Sequence, residues 1–372
     1  MRFSSSIEAK SHLFCFICFT GKTHTIFGQE GTLENCGDGS EVKEGWGILP
    51  RLVHYIFDML ERRRDEGYLL TLSAMELYMG CAFDLLENQS PMMVHPDIGP
   101  IGHSHVVLLS PRHALEVIKM ILHHRTTRGT NMNQRTSDVD QNTTSGSSRS
   151  HCGVMLHLLR VQNKLSTSKG IVEPVVTGTT IHVVDLSGAE RPKKVGAGDK
   201  MSTDSGAMAY WKATTGRGEI TAQEEGIIIN YELFEFCREV KLATLLHKKR
   251  KPYNAPKQNS TQLTKYLGRC LDGRASLSMI VCLSQAPQCG WETWFSLQYG
   301  KDLASLQAPV RKAQEQSLHS ALHDAESQVT STHDDLSKSQ LGSKYRWRRE
   351  VAHREAKERA RLLRLLATKS NS

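Results

Sequence analysis

Seven apolar residues, Leu13-Phe14-Cys15-Phe16-Ile17-Cys18-Phe19, run through Thr20 into Gly21-Lys22-Thr23. An apolar strand that empties into Gly-Lys-Thr is the end of a phosphate-binding loop. Backbone N–H groups cradle phosphate there, the lysine pairs with the outer phosphates, and the threonine hydroxyl holds Mg2+. Such a loop demands a buried strand before it and a helix after it, which points to a layered α/β fold. The full pattern G-x-x-x-x-G-K-[ST] is half met. Phe16 stands at the first glycine and Phe19 where a second small residue belongs. A Cβ and a ring at these places oppose close approach of backbone to phosphate, so a weak or absent ATPase is expected of this chain.

A second strand signal lies far downstream. Thr180 to Leu186 is an apolar run ending in Asp185-Leu186-Ser187-Gly188-Ala189-Glu190-Arg191. An Asp at the end of a buried strand, then a glycine, suits a nucleotide hydrolase that reaches Mg2+ and senses a terminal phosphate. Taken alone, D-x-x-G reads equally as a strand-terminal turn.

Between and around these, hydrophobic spacing predicts helices over 48–62 (Leu49, Leu52, Ile56, Leu60, with Pro50 in the first turn) and 111–124 (Ala114, Val117, Ile118, Ile121). Strands are expected over 69–86 and 152–161, with loops at 28–46 and 126–150. The stretch 191–225, with five glycines, reads as a long flexible insert.

The chain has 372 residues and a net charge of +8, but the charge is localised. Lys344 to Lys369 holds ten Lys/Arg and three Asp/Glu, which leaves the rest nearly neutral. A basic tail seeks nucleic acid, anionic lipid or an acidic protein. No apolar run approaches the eighteen or so residues that span a bilayer, and residues 1–20 lack the small-residue cleavage site of a signal peptide. Nine scattered cysteines include one close pair, Cys15 and Cys18, with no second pair at zinc spacing. Free thiols and a reducing compartment are expected.

The segment Asn142 to His151 ends in Ser147-Ser148-Arg149-Ser150-His151. Followed in order by Asp185-Leu-Ser-Gly-Ala-Glu-Arg191, it resembles the two switch loops of a kinesin motor domain. Gly21-Lys-Thr-His-Thr-Ile-Phe-Gly28 resembles that family's phosphate loop and the helix after it. Gly47-Ile-Leu-Pro-Arg51, Glu76-Leu77-Tyr78, Asp84-Leu85-Leu86, Glu225-Gly-Ile-Ile-Ile-Asn230, Pro252-Tyr253 and Glu292-Thr293 follow in register. The resemblance covers residues 20–308.

It implies a P-loop NTPase fold, a mostly parallel β-sheet flanked by helices, with ATP and Mg2+ bound. The nucleotide would be held by Gly21, Lys22, Thr23, His24, Thr25, Ser147 and Asp185. The metal ligands would be Thr23 and Ser148, and the catalytic groups Ser148, Arg149, Gly188 and Glu190, with an Arg149–Glu190 ion pair closing the site. The helix from Glu225 to about Leu245 would act as the relay. Lys248, Lys249, Arg250 and Lys251 would meet acidic tubulin, although a solvated loop or a nuclear-localisation run reads the same way. Microtubules in the cytoplasm and cytoskeleton are the implied partner, and nucleic acid is not expected.

Several features depart from the family pattern. The first strands and half of the base pocket have no evident source in this sequence. Residues 1–19 read as an atypical segment, non-native on one of two readings, ahead of a motor domain at 20–308. Two extra residues precede Ser147. Residues 309–372 form a polar linker and a basic helical tail, expected to be solvated or to lie on a membrane or tubulin, and sustained heptads for a dimer are absent. The alternative reading is a catalytically impaired, microtubule-binding pseudo-motor.

Overall fold

The computed structural model describes residues 10–17, 21–29, 31–33, 41–63, 67–133, 149–165, 172–188, 203–254, 259–306, 315–340 and 345–370. Ser147, Ser148 and Glu190, together with Phe19, lie outside the described residues.

The first strand, β1 (Lys10–Ile17), is followed by a short helix α1 (Lys22–Phe27) and by α2 (Ile48–Glu61). Then come β2 (Gly67–Tyr78), β3 (Cys81–Asp84), β4 (Pro91–His95), β5 (Gly99–Ile101), β6 (Val106–Val107) and α3 (Pro111–Asn133). A long hairpin arm, β7 (His151–Leu165) and β8 (Val172–Asp185), precedes α4 (Thr203–Thr215), α5 (Ala222–Lys248) and α6 (Gln262–Leu267). The chain closes with β9 (Ala275–Val281), α7 (Gly290–Ala304), β10 (Gln316–Ser317), α8 (Leu318–Ser337) and α9 (Arg346–Ser370).

The sheet order is β5-β4-β3-β2-β7-β8-β1-β9, with β10 on β8 and β6 on β2. Parallel pairing occurs where β1 meets β8 and β9. The β2–β7 and β7–β8 ladders, like those of the outer strands, are antiparallel. This corrects the expectation of a mostly parallel sheet: β7 and β8 are joined through only 166–171, too short for the crossover that a parallel pair needs. The strand expected to run into Gly21-Lys22-Thr23 is β1, with Phe16 opposite Asp185 on one side and Ile280 on the other.

Alternation along the strands sorts side chains onto two faces. Val154, Leu156 and Val183 pack with Leu49 and Val53 of α2 and with Leu115, Ile118 and Ile121 of α3. Met155 and Val184, one position out of step, pack with Ile229, Leu233, Phe236 and Val240 of α5 and with Leu263 and Tyr266 of α6. Gly47, at the start of α2, lies so close to the end of α1 that a Cβ there would strike the Ile26 carbonyl.

Three further expectations change. The helix expected over 111–124 continues to Asn133, into the segment read as a loop. The stretch read as a flexible insert holds α4, whose Lys212 reaches Glu224 at 2.9 Å. The basic tail is not a solvated helix. Leu363 and Leu366 of α9 are fully buried and pack with Leu318, Ala321 and Ala325 of α8 on Leu69, Val161 and Val176 at the far end of the hairpin arm.

Candidate functional site

Because β1 and β8 run parallel, they end at the same edge of the sheet, and the segments leaving them converge there. Gly21 caps the N-terminus of α1 in the left-handed region, with φ 80°, a conformation that glycine adopts without strain. Lys22 is buried at 9% exposure, while Thr23 and His24 are exposed. Thr25 Oγ1 donates to the Gly21 carbonyl at 2.8 Å, closing the first turn.

Asp185 is the centre of the site. It sits at the end of β8, flanked in register by Phe16 of β1 and Cys152 of β7, and is 1% exposed. Its Oδ2 accepts from Thr23 Oγ1 at 2.7 Å and from Arg125 Nη1 at 2.5 Å. Arg125 comes from α3 and is itself buried. Burial alone would lower the Arg125 pKa, but the Asp185 carboxylate outweighs it and the net shift is upward. The neighbouring Cys152 thiol is pushed up to about 12 by its burial, so it stays protonated. Asp185 Oδ1 is buried with no hydrogen-bond partner among the described residues.

The two switch segments are tied together beside this carboxylate. Arg125 Nη2 donates to the Ser150 carbonyl at 3.2 Å, and Ser150 Oγ donates to Glu76 Oε1 at 2.6 Å. The Ser187 N–H donates to His151 Nδ1 at 2.9 Å, locking the first switch to the residue before Gly188, which is also buried. His151 Nε2 then lies 3.7 Å from Glu232 Oε2 on α5, with both side chains 2% exposed.

Arg149 donates to Glu225 Oε2 at 2.8 Å. The expected partner, Glu190, lies outside the described residues; the described carboxylate is on α5. That helix begins with a reciprocal cap in which the Glu224 N–H donates to Thr221 Oγ1 while Glu224 Oε2 accepts from the Thr221 N–H. The backbone hydrogen bond from Thr221, assisted by Lys212, holds the Glu224 carboxyl below its ordinary range. The cap fixes Glu225 one residue further on, opposite Arg149.

The structure therefore brings together Gly21, Lys22, Thr23, Thr25, Arg149, Asp185 and Gly188. It leaves Lys248, Lys249, Arg250 and Lys251 at the opposite end of α5, all exposed. At ~1.5 Å rise per residue, Glu225 and Lys248 are about 35 Å apart along the helix. Sequence reasoning missed Arg125, which no recognised motif contained. It also missed the roles of Glu76, His151, Glu225 and Glu232. Four of these five stood in or beside quoted motifs, but only the packing shows what they touch.

A family model described as the kinesin motor domain matches residues 14–209. The chain is 25% identical over 319 residues to Kinesin-related protein 13 of Dictyostelium discoideum, covering 83% of this chain and 21% of that protein. It is 27% identical over 292 residues to Kinesin heavy chain of Drosophila melanogaster, covering 76% of this chain and 24% of that one. The chain thus spans about a fifth to a quarter of the length of these curated relatives. Among solved structures, a fast kinesin aligns with TM-score 0.56 at 20% identity, covering 82% of this chain and 74% of that chain. A dimeric KIF14 with AMP-PNP on a microtubule aligns with TM-score 0.55 at 21% identity, covering 81% and 73%. With the shared fold and the family match over more than half its length, the chain belongs to the kinesin motor domain family.

Proposed function

We propose that this chain is a microtubule motor domain that binds and hydrolyses ATP and passes the nucleotide state to a track-binding surface through α5. The observation that carries the reading is the hydrogen bond from Thr23 to Asp185, which joins the phosphate loop to the second switch. The bond supports a Mg2+ site here, as does the unpartnered Asp185 Oδ1 beside it. Thr23 and Ser148 are the proposed ligands, and Asp185 orders the waters around them. When bound, Mg2+ neutralises phosphate charge during transfer.

This chain's own residues do the rest. Lys22 pairs with the outer phosphates, assisted by Gly21, His24, Thr25 and Ser147 around the nucleotide. Arg125 supplies the buried counter-charge beside Asp185. The Gly188 N–H reads the terminal phosphate, and Ser148 and Glu190 position water. Because Ser187 is bonded to His151 and Arg149 to Glu225, movement of either switch must load or release the head of α5. Lys248, Lys249, Arg250 and Lys251, on the far end of that helix, then meet the acidic tubulin surface.

The test is co-sedimentation with microtubules in the presence of AMP-PNP and of ADP, together with steady-state ATPase. The motor reading expects tighter binding with AMP-PNP and a microtubule-stimulated rate. Equal binding in both nucleotides and no stimulation refute it.

One observation favours a second reading, the impaired pseudo-motor. Phe16 is paired as a strand residue on both sides, where the phosphate-loop pattern has its first glycine. Microtubule binding that ignores nucleotide, with no measurable hydrolysis, is the outcome that reading expects.

A further inference from the structure

A cluster of imidazoles lies on the sheet away from the nucleotide site. His103 and His105 come from the segment between β5 and β6, and His157 from the middle of β7. Their ring centroids are 4.5, 4.6 and 5.7 Å apart, and one ring nitrogen from each falls within 4.8 Å of the others. His103 is 6% exposed, and both its ring nitrogens are buried without a hydrogen-bond partner among the described residues. A buried imidazole with two unpaired nitrogens is costly unless something not yet bound completes it.

We propose that His103, His105 and His157 form a binding site for a divalent transition metal, with Zn2+ the best-matched ion. Three nitrogen ligands suit Zn2+ rather than Mg2+ or Ca2+, which take oxygen. Tetrahedral coordination at ~2.0–2.1 Å sets ligand nitrogens about 3.3 Å apart, a contraction that modest ring rotations from the present arrangement supply.

The surrounding groups fit ligating imidazoles, whose second nitrogen is ordinarily held by an outer partner. His105 Nδ1 is 3.2 Å from Thr71 Oγ1. His157 is held from both sides, by Ser73 Oγ at 2.8 Å and Thr180 Oγ1 at 3.2 Å. One of those hydroxyls must turn away for the metal, while the other orients the ring. Burial keeps His105 and His157 neutral, the form that binds metal.

Glu355 of α9 flanks the cluster on the His103 side, and water would complete the tetrahedron. Glu355 Oε2 lies 3.9 Å from His103 Nδ1 and already accepts from the Gly102 N–H at 2.7 Å. Arg361, whose Nη2 also donates to the His105 carbonyl at 3.0 Å, is occupied by Glu358 at 2.5 and 2.8 Å. A bound ion would therefore fasten the β5–β6 segment to β7.

The test uses the full chain, stripped with chelator, dialysed against Zn2+ and freed of excess ion before metal analysis. Wild type is expected to retain one Zn2+, and the Co2+ form to show tetrahedral d–d bands without thiolate charge transfer. His103→Ala is expected to lose at least tenfold in affinity, as is His105→Ala, a more exposed position that keeps the test open should His103→Ala fail to fold. His323→Ala, on the exposed face of α8, should bind as wild type. No retained Zn2+ in wild type, full retention in both folded variants, or a thiolate spectrum overturns the proposal.

Discussion

Thr23 Oγ1 donates a 2.7 Å hydrogen bond to Asp185 Oδ2 across 162 positions of sequence. The bond exists because β1 and β8 are parallel neighbours, so the residues following each strand emerge side by side. The same oxygen accepts from buried Arg125, and the site is thereby a three-element junction of α1, β8 and α3.

Asp185→Asn leaves the Arg125 guanidinium buried without its counter-charge. The expected cost is about 3–5 kcal/mol, the usual penalty for breaking one side of a buried ion pair. Urea unfolding checks it, and a change below about 1 kcal/mol contradicts the account of Arg125.

Arg149→Ala separates coupling from stability. The Arg149 side chain is 35% exposed, so losing its bond to Glu225 should cost no more than about 1 kcal/mol. Affinity for a fluorescent ATP analogue should hold within a few-fold. The difference in microtubule affinity between AMP-PNP and ADP should collapse, and co-sedimentation reads it.

Replacing Lys248, Lys249, Arg250 and Lys251 together by alanine should leave stability within about 0.5 kcal/mol, since all four are exposed. Microtubule affinity at low salt should fall by at least about tenfold, and its salt dependence should flatten. Unchanged affinity removes this loop from the interface.

His182 is buried against Tyr266 Oη at 3.0 Å, and burial, then Arg269 and His103, push its pKa down to about 3. The unfolded chain takes up a proton near pH 6.5 and the folded one does not. The stability contribution is therefore full above pH 6.5 and lost as pH falls from there toward 3, at about 1.4 kcal/mol per pH unit. Denaturation at pH 7.5 and 5 checks it, and His182→Gln should lower the slope by about 1.4 kcal/mol per pH unit while leaving the share of His105 and His157, which burial also shifts down.

Leu363→Ala tests the packed tail. Leu363 is 1% exposed in the α8–α9 cluster, and its truncation should cost about 2–5 kcal/mol. Leu365→Ala, on the outward side of the same helix, should cost about 0.5 kcal/mol or less.

The legible parts of this protein were those written in local pattern. The helix at Ile48–Glu61 and the strand ending at Asp185 followed from spacing alone. Gly21, Lys22, Thr23, Asp185 and Gly188 announced themselves because phosphate chemistry needs those residue types in short motifs. Arg125 did not, since a lone arginine on a helix looks solvated until its α3 face is known to cover the end of β8. The basic tail misled for the same reason. Its charges dominate the composition, while Leu362, Leu363 and Leu366 make a narrow stripe that packs on α8 and on Leu69, Val161 and Val176, the last three more than a hundred residues away. The strand directions escaped because an apolar run does not say which way its neighbour points.

The most direct measurement is the steady-state ATPase of the whole chain with and without microtubules, beside Lys22→Ala. A rate that is low, as Phe16 and Phe19 imply, but raised several-fold by microtubules and abolished in the variant is the result the motor reading expects. A wild-type rate equal to that of Lys22→Ala, with and without microtubules, contradicts the motor reading and leaves a microtubule-binding protein on a kinesin fold.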